Sequence, residues 1–506
     1  MKDWTKRELD QIINVKDEES LKQLHESILR STYRCDYHIQ TVTGLMNDPN
    51  GFSYYDNKWH LFYQWFPYGA VHGMKHWYHV VSDDLVHWNN VGLGMKPTLN
   101  YDNFGCYSGS GYVKDGFLYL VYTGNHNEPS GQRIPYQMIS AIDTENNLTK
   151  LRRPIIQPLQ GYTEHQRDPK IFYEDGYYYI LMGAQNENLE GRMLMYRSKQ
   201  IATGWTFVSE LKVEGYDHFG YMVECPCIQK IGDKWLLLFS PQGLEKKKNS
   251  FLNAYSNVYM IGDLDLDTMI FKPDHEMKEL DHGFDFYAAQ TAFQSEYGNT
   301  AILEGWFGCS DYTYPVTDEE GWAGLQTLAR ELTIEDGKLI QRPTRNLESI
   351  KKDIIFEAIN GEIKKDSLMR RTPDSCIMHL ENSSNDDFEL DLFATELYKG
   401  FEIKYETRKS QFTISRKTLK NQFNSEFGTE RSISVFTLKS LDIYIDHSTI
   451  EIFINDGEFV MSSRVFPVSQ EHKIRMSGKD INLKIWNIQK AVKDDFVIFE
   501  EKKDGE

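Results

Sequence analysis

Five short stretches rich in aromatic and β-branched residues recur through the first two thirds of the chain, at intervals of about 60 residues. They are Lys58–Gln64, Phe117–Thr123, Tyr177–Gly183, Lys234–Ser240 and Thr300–Trp306. A short polar turn such as Asp56-Asn57 or Asp115-Gly116 precedes each stretch. Strand-rich units of this length, punctuated by hairpin turns, predict five four-stranded blades of a β-propeller.

The pattern changes at both ends of this repeat. Residues 1–32 carry Leu and Ile at helical spacing among many charges, which predicts a short helical extension packed outside the repeat. The propeller is predicted over residues 33–335 and a linker over 336–352. Residues 353–506 alternate apolar and polar positions without the 60-residue period, which predicts a β-sandwich. The predicted fold is therefore all-β, with a five-bladed propeller followed by a sandwich.

Composition narrows the class of protein. The 506 residues carry a net charge of −19, which argues against nucleic-acid and anionic-membrane partners. Six scattered cysteines do not form a disulfide framework. The N-terminus lacks the apolar core of a signal peptide, and no apolar run is long enough to span a membrane. We therefore expect a cytoplasmic protein with reduced thiols, either a monomer or a homodimer.

Polar residues occupy similar positions in the five repeats, about ten residues before each stretch. These residues are Asp48, Ser108, Asp168, Glu224 and Gln290. Equivalent positions on the inner strands of a propeller converge on its central channel. Three carboxylates and two neutral hydrogen-bonding groups are therefore expected around one pocket. Paired carboxylates are what glycoside hydrolysis requires.

Each carboxylate also has a structural interpretation. The Asp48 motif, N-D-P-N-G, is a common turn, Arg167-Asp168 suits a buried ion pair, and Glu224 suits a surface position. Their shared place in the repeat favours the functional interpretation. The apolar sequence neighbours of Glu224 favour a protonated acid, whereas Asp48 in a polar turn and Asp168 beside Arg167 favour ionised carboxylates.

Several motifs resemble glycoside hydrolase family 32, the invertase and fructan hydrolase family. The three main signatures are Asn47–Gly51, Arg167–Pro169 and Glu224–Pro226, in that order. Further matches are Tyr63-Gln64, Gly73–Trp77, Ser108–Ser110, Asp285–Tyr287 and Arg330–Leu332. The resemblance covers nearly the whole chain. It implies a five-bladed propeller with a β-sandwich, and a retaining hydrolase of β-fructofuranosides that needs no metal or cofactor.

The resemblance also assigns roles. Asp48 would be the nucleophile, Glu224 the acid and base, and Asp168 the transition-state stabiliser. The residues expected around the fructose are Asn47, Gln64, Ser108, Arg167 and Trp306. The chain departs from common family patterns at Leu45, His72 and Tyr107. These departures concern the site of the leaving group, which decides the substrate.

The small-molecule sugar substrate is expected to be sucrose 6-phosphate, together with sucrose, because the chain is most similar to the bacterial members of the family that act on the phosphorylated sugar. A phosphate would be recognised by His72, Lys75 or Arg133. A fructan hydrolase, a fructosyltransferase and a non-catalytic sugar-binding propeller are the alternatives. The histidines between positions 72 and 87 lie in predicted loop and strand, so they do not indicate a metal site.

Overall fold

The computed structural model describes residues 2–294, 298–363 and 373–499, with no side chains described for 359–363. Helices are few and short. The α-helices are α1 (Lys6–Leu9), α2 (Glu18–Ile28) and α3 (Pro315–Glu319). The 3-10 helices are Val15–Asp17, Asn100–Asp102, Arg345–Ile350, Thr407–Lys409 and Ser425–Phe427. Strands dominate the rest, as the sequence predicts.

The propeller has five blades. Blade 1 contains β1 (Gly44–Tyr55), β2 (Lys58–Phe66), β3 (His76–Ser82) and β4 (Trp88–Met95). Blade 2 contains β5 (Cys106–Lys114), β6 (Phe117–Asn127), β7 (Arg133–Ile142) and β8 (Leu148–Lys150). Blade 3 contains β9 (Tyr162–Glu174), β10 (Tyr177–Asn186), β11 (Gly191–Ser198) and β12 (Thr206–Glu210).

The last two blades carry extra short strands. Blade 4 contains β13 (Lys212–Val213), β14 (Met222–Ile231), β15 (Lys234–Gln242), β16 (Val258–Asp265), β17 (Ile270–Pro273) and β18 (Lys278–Glu279). The inner strands of blade 5 are β19 (Tyr287–Thr291) and β20 (Ala301–Trp306). They are followed in the chain by β21 (Trp322–Ala323), which pairs in parallel with β1. The outer strands of blade 5 are β22 (Arg330–Glu335) and β23 (Lys338–Pro343). The last blade therefore ends at Pro343, inside the segment predicted as a linker.

The first strands of the five blades form the inner ring. Each of β1, β5, β9 and β14 contacts the next, and β19 contacts both β14 and β1, so the ring closes. The five repeated apolar stretches are the second strands, which pair on both edges and are largely buried. The turns between the first and second strands use left-handed backbone, with φ of +50° at Asp115 and +48° at Asp175. Asp and Asn tolerate this conformation, which explains the polar punctuation of the repeat.

The second domain is a β-sandwich whose two sheets share its last strand. The strands are β24 (Lys351–Ile363), β25 (Ser375–Asn382), β26 (Phe388–Ala394), β27 (Phe401–Glu406), β28 (Gln411–Ser415), β29 (Glu430–Ser434), β30 (Ser440–Asp446), β31 (Thr449–Ile454), β32 (Phe459–Arg464) and β33 (Lys473–Ile488). One half of β33 pairs with β26 and the other half pairs with β25. The alternating apolar residues of these strands form one continuous core.

Segments near both termini pack against blade 1. In the N-terminal segment, Leu21 and Ile28 of α2 are buried, and Ile13 packs into the core of blade 1. Near the other end, Leu93 donates its backbone N–H to the carbonyl of Ile498. The N-terminal segment is therefore part of the propeller's packing, and it reaches the pocket described below. None of the described helices is long and apolar enough to cross a membrane.

Candidate active site

A β-bulge interrupts each of the five inner strands at a similar height. The register against the second strand shifts between Met46 and Pro49, between Cys106 and Gly109, between Arg167 and Lys170, between Glu224 and Cys227, and between Tyr287 and Gln290. A bulge inserts one residue and re-aims the side chains beside it. The polar positions inferred from sequence spacing all lie in or within one residue of these bulges.

The bulges of blades 3, 4 and 5 share a strained backbone. Asp168, Cys225 and Ala288 have φ of +65°, +45° and +53°. Such values are uncommon for residues other than glycine, and they mark these three positions as equivalent. The residues just before them are Arg167, Glu224 and Tyr287. In three dimensions Glu224 therefore corresponds to Arg167 and Tyr287, whereas the sequence spacing aligned it with Asp168.

Asp48 is fixed through both carboxylate oxygens. Ser108 donates to Oδ2 at 2.6 Å, and the Asn47 amide donates to Oδ1 at 3.2 Å. Gln64 links the two donors, because its Oε1 accepts from Asn47 at 2.8 Å and its Nε2 donates to Ser108 at 2.5 Å. Burial raises the pKa of Asp48, Ser108 partly offsets this, and the charge of Glu224 raises it further. The carboxylate is held in one orientation on the pocket floor.

Asp168 is the most buried of the three carboxyl groups, with 5% of its surface exposed. Its Oδ2 accepts the backbone N–H of Cys225 at 2.9 Å. Burial raises its pKa to about 7; Glu224 and Asp48 also raise the pKa, and Arg167 offsets only part of the effect. The sequence expectation of a fully ionised Asp168 therefore differs from the structure. Arg167 lies 3.9 Å from Asp168 but only 2.7 Å from Glu224.

Glu224 accepts four hydrogen bonds from three side chains. Arg167 donates to Oε1 through Nε at 3.2 Å and Nη2 at 2.7 Å. Gln242 and Tyr287 each donate to Oε2 at 2.7 Å. The apolar neighbours on which the sequence argument relied, Met222 and Val223, are buried in the blade instead. The setting of this carboxylate is polar, and its donors come from three neighbouring blades.

Lys75 and His72 stand beside the Asp48 floor. Lys75 Nζ donates to Asn47 Oδ1 at 2.8 Å and to His72 Nδ1 at 2.9 Å. Burial lowers the pKa of Lys75 to about 8, with Asp48 partly opposing the change. The charge of Lys75, together with burial, lowers the pKa of His72, so its ring is a neutral acceptor. The pair formed by His72 and Lys75 thus carries one charge, and that charge is already hydrogen-bonded.

These groups surround one cavity of about 480 Å³, in the size range of small-ligand sites. From the residues predicted by sequence, its lining includes Asn47, Asp48, Gln64, His72, Lys75, Tyr107, Arg167, Asp168 and Glu224. The sequence did not place in the site its remaining members, which are Leu9, Asp10, Gly73, Met74, Phe104, His165, Tyr287 and Ser310. Arg133, predicted only as a phosphate contact, also lines the cavity.

Four residues predicted to contact the sugar do not line the cavity. Ser108 lies just beneath it and donates a hydrogen bond to Asp48. Leu45 packs against Phe66 in an apolar cluster. Gln290 donates to the carbonyl of Gly109 at 3.0 Å, because the bulge directs Tyr287 toward the pocket in its place. Trp306 is buried behind His72, with ring centroids 6.3 Å apart.

The N-terminal segment forms one wall of the cavity. The carbonyl of Leu9 accepts the backbone N–H of Met74 at 2.7 Å, and Asp10 lines the same wall. His76 Nε2 accepts the backbone N–H of Ile13 at 3.1 Å. The sequence predicted helices packed outside the catalytic body, and nothing in their amphipathic pattern could show that the C-terminal end of α1 reaches a pocket.

Groups with the chemistry of metal ligands occur elsewhere in the described chain. Three sets have ligand atoms close together: Cys35, His38 and Asp446; Asp36, Asp446 and His447; and Glu389, Asp391 and Glu402. None of these sets includes a residue of the cavity lining.

Two family descriptions match the chain in sequence. "Glycosyl hydrolases family 32 N-terminal domain" matches residues 38–343, and "Glycosyl hydrolases family 32 C terminal" matches residues 339–489. The chain belongs to glycoside hydrolase family 32. Together the two matches cover the propeller and the sandwich, so the carboxylates described above lie in a family 32 fold.

Curated relatives and solved structures are similar to this chain over nearly its whole length. The sucrose-6-phosphate hydrolase of Staphylococcus xylosus is 37% identical, covering 92% of this chain and 94% of that protein. The sucrose-6-phosphate hydrolase of Lactobacillus gasseri has a TM-score of 0.91 and 34% identity, covering 97% of this chain and all of that one. The GH32 beta-fructofuranosidase of Bombyx mori has a TM-score of 0.82 and 30% identity, covering 95% of this chain and all of that one. The all-β propeller-and-sandwich fold is confirmed.

Proposed function

We propose that this family 32 hydrolase cleaves the β-fructofuranoside bond of sucrose 6-phosphate and of sucrose, releasing fructose with retained configuration. The observation that carries the proposal is the convergence of Asp48, Asp168 and Glu224 on one cavity of sugar size. Relatives named sucrose-6-phosphate hydrolase, matched over nearly their whole length, support the substrate. The mechanism follows from what holds each carboxyl group.

Asp48 is proposed as the nucleophile. One of its oxygens attacks the anomeric carbon of fructose while Glu224 gives a proton to the oxygen of the departing glucose unit. The bond from the anomeric carbon to that oxygen breaks, and fructose remains as an ester on Asp48. Ser108 and Asn47 hold the attacking carboxylate in place, which reduces the entropic cost of the attack.

Glu224 then changes role. It takes a proton from a water molecule, and the oxygen of that water attacks the anomeric carbon. The ester bond to Asp48 breaks, fructose leaves, and Glu224 is protonated again for the next cycle. Tyr287, Gln242 and Arg167 hold its two oxygens in position through both steps.

Asp168 is proposed to bind fructose hydroxyls and to stabilise positive charge at the transition state. Its raised pKa, about 7, means that a carboxyl group held by the Cys225 N–H titrates near neutral pH. A hydrogen bond to sugar hydroxyls strengthens as charge develops on the ring. This residue would therefore contribute more to the transition state than to substrate binding.

The test is a time course of fructose release from sucrose 6-phosphate, sucrose and inulin, with the Asp48→Ala variant as control. The proposal expects fructose from both sucrose substrates and none from the variant. Products longer than the substrate would instead identify a fructosyltransferase, and preferential release from inulin a fructan hydrolase. If the wild type bound sucrose but released no fructose, the chain would be a non-catalytic sugar-binding protein.

A further inference from the structure

The leaving group of the proposed reaction begins beside Glu224, because Glu224 protonates its oxygen. A line of basic side chains runs from that carboxylate along blades 3 and 2. Arg167 binds Glu224, and its Nη1 contacts His165 Nδ1 at 2.9 Å. Arg133 Nη2 contacts the same nitrogen at 3.0 Å. Arg133 and His165 both line the cavity.

Arg133 lacks a carboxylate partner. Among residues 2–294, 298–363 and 373–499, no carboxylate oxygen lies within 4.0 Å of its guanidinium nitrogens. Its Nε is buried without a hydrogen-bond partner, and the main-chain carbonyl of Glu164 accepts from Nη2 at 3.4 Å. Tyr107 is also hydrogen-bonded to this side chain, and an arginine has five N–H donors, so part of them remains for a ligand. In a chain of net charge −19, this arginine forms no salt bridge among the described residues, and the carboxylate of Glu164 acts on its charge only from beyond 4.0 Å.

His165 adds a neutral donor. Its Nδ1 accepts hydrogen bonds from both Arg133 and Arg167, so the ring proton lies on Nε2. Nε2 is 4.0 Å from Glu164, too far for a hydrogen bond, which leaves this N–H for a ligand. Burial and the two arginine charges lower the pKa of His165.

The other candidate phosphate contacts, Lys75 and His72, already have hydrogen-bond partners. Lys75 is hydrogen-bonded to Asn47 and His72 on the Asp48 side of the cavity. His72 is held as a neutral acceptor by that contact. The charge of Lys75 is therefore already hydrogen-bonded to two groups, and His72 carries no charge.

Resting on the function proposed above, we propose that Arg133, assisted by His165 Nε2–H, binds the phosphate of the glucose 6-phosphate unit and gives the enzyme its preference for the phosphorylated substrate. A guanidinium offers paired N–H groups that match a phosphate, and charge-assisted bonds of this kind are strong. Arg167 is committed to Glu224, so Arg133 is the specificity residue of the pair.

The test compares kcat/KM for sucrose 6-phosphate and for sucrose in four proteins: wild type, Arg133→Gln, Arg133→Lys and Arg345→Gln. Arg345 is an exposed arginine outside the cavity, so its variant controls for loss of one charge. We expect Arg133→Gln to lower the ratio of the two values by about 10- to 100-fold. Arg133→Lys should retain part of the preference for sucrose 6-phosphate, since lysine keeps the positive charge but lacks the paired N–H groups of the guanidinium. The control keeps the wild-type ratio.

Two results would overturn the inference: a wild-type ratio near one, or an Arg133→Gln ratio unchanged from wild type. Calorimetric binding separates this inference from the proposed function. In the Asp48→Ala background, Arg133→Gln should weaken binding of sucrose 6-phosphate far more than binding of sucrose. If the wild type hydrolysed neither sugar yet this difference in binding appeared, the proposed function would fail and the phosphate site would stand.

Discussion

The pocket and the interface between propeller and sandwich both bury several carboxylates, but their surroundings differ. At the interface, Arg330 Nη2 donates to Asp281 at 2.9 Å and to Glu451 at 2.8 Å, all fully buried. His38 lies between Asp446 and Glu451, with nitrogens 2.8 and 3.1 Å from their oxygens. Burial lowers the pKa of His38, but the two carboxylates more than offset this and raise it to about 9. Asp281, Glu451 and Asp446 each have a cationic partner there, whereas burial and the charge of Glu451 raise the pKa of the neighbouring Glu304.

In the pocket, two cations lie beside the three proposed catalytic carboxyl groups. Lys75 lies near Asp48, and Arg167 is directed to Glu224, so Asp168 shares a partner with its neighbour. Burial raises the pKa of Asp48 and Asp168, while at the interface Arg330 and His38 outweigh burial and lower the pKa of Glu451. Buried charge that is matched holds domains together. Where buried carboxyl groups outnumber the cations beside them, their protonation state can change near neutral pH, and acid–base chemistry uses such groups.

The largest expected effect is on the pocket side of this comparison. Asp48→Ala should lower kcat on the order of 10⁴-fold, because no other carboxylate can form the fructosyl ester. The free energy of unfolding at pH 8 should not fall, since one of three mutually repelling groups is removed. Fructose release and urea unfolding measure the two quantities. A variant that lost stability as well as activity would contradict the contrast with the interface.

Arg330→Met tests the interface side. It leaves Asp281 and Glu451 buried without their cation, so we expect a loss of about 3–5 kcal/mol in the free energy of unfolding. Activity per folded molecule should stay at the wild-type value, since Arg330 does not line the cavity. The matched control is Arg345→Met, where the side chain is exposed and little stability should be lost. Equal losses in the two variants would refute the matched-charge interpretation.

The pH dependence of stability distinguishes the two sites further. The pKa of Asp168 is about 7 when folded and lies near the ordinary aspartate value of 3.8 when unfolded. The native state therefore binds this proton more tightly, and the stability it confers is full below pH 3.8 and lost as pH rises through about 7. Asp168→Asn should thus be stabilising relative to wild type at pH 8, on the order of 2 kcal/mol, and less so at pH 5. Denaturant titrations at the two pH values measure this difference; a constant difference would contradict it.

The smallest expected effect concerns the support of Glu224. Tyr287→Phe removes one of four donors and leaves the ring packing, so kcat/KM should fall by about tenfold. The melting temperature should change little, unlike that of Arg330→Met. Gln242→Met, which removes the other donor to the same oxygen, should give a similar fall. If neither variant affected the rate, the hydrogen bonds to Oε2 would not position the acid.

The sequence predicted the blades, the sandwich and the three carboxylates because these depend on local patterns. Repeated apolar stretches define second strands, and signature motifs surround Asp48, Asp168 and Glu224. The environment of Glu224 could not be predicted, since its donors Gln242 and Tyr287 lie on other strands. Gln290 was misplaced for a related reason.

Counting residues at a fixed interval along a strand fails where a bulge adds a residue, and nothing in the sequence composition indicated that bulge. The wall formed by Leu9 and Asp10 depends on tertiary packing alone. Contacts between distant segments were therefore the part of the site beyond the reach of the sequence.

The repeated bulge also bears on how such an enzyme can change. Blades 3, 4 and 5 present Arg167, Glu224 and Tyr287 from the same backbone shape, so a single codon change can exchange the chemistry at any of these positions without rebuilding a strand. A one-residue deletion at Cys225 is a different event, because it would return β14 to a regular pleat and turn Glu224 or its neighbours away from the cavity. Libraries that permit substitutions but not deletions therefore sample new activities while retaining the pocket.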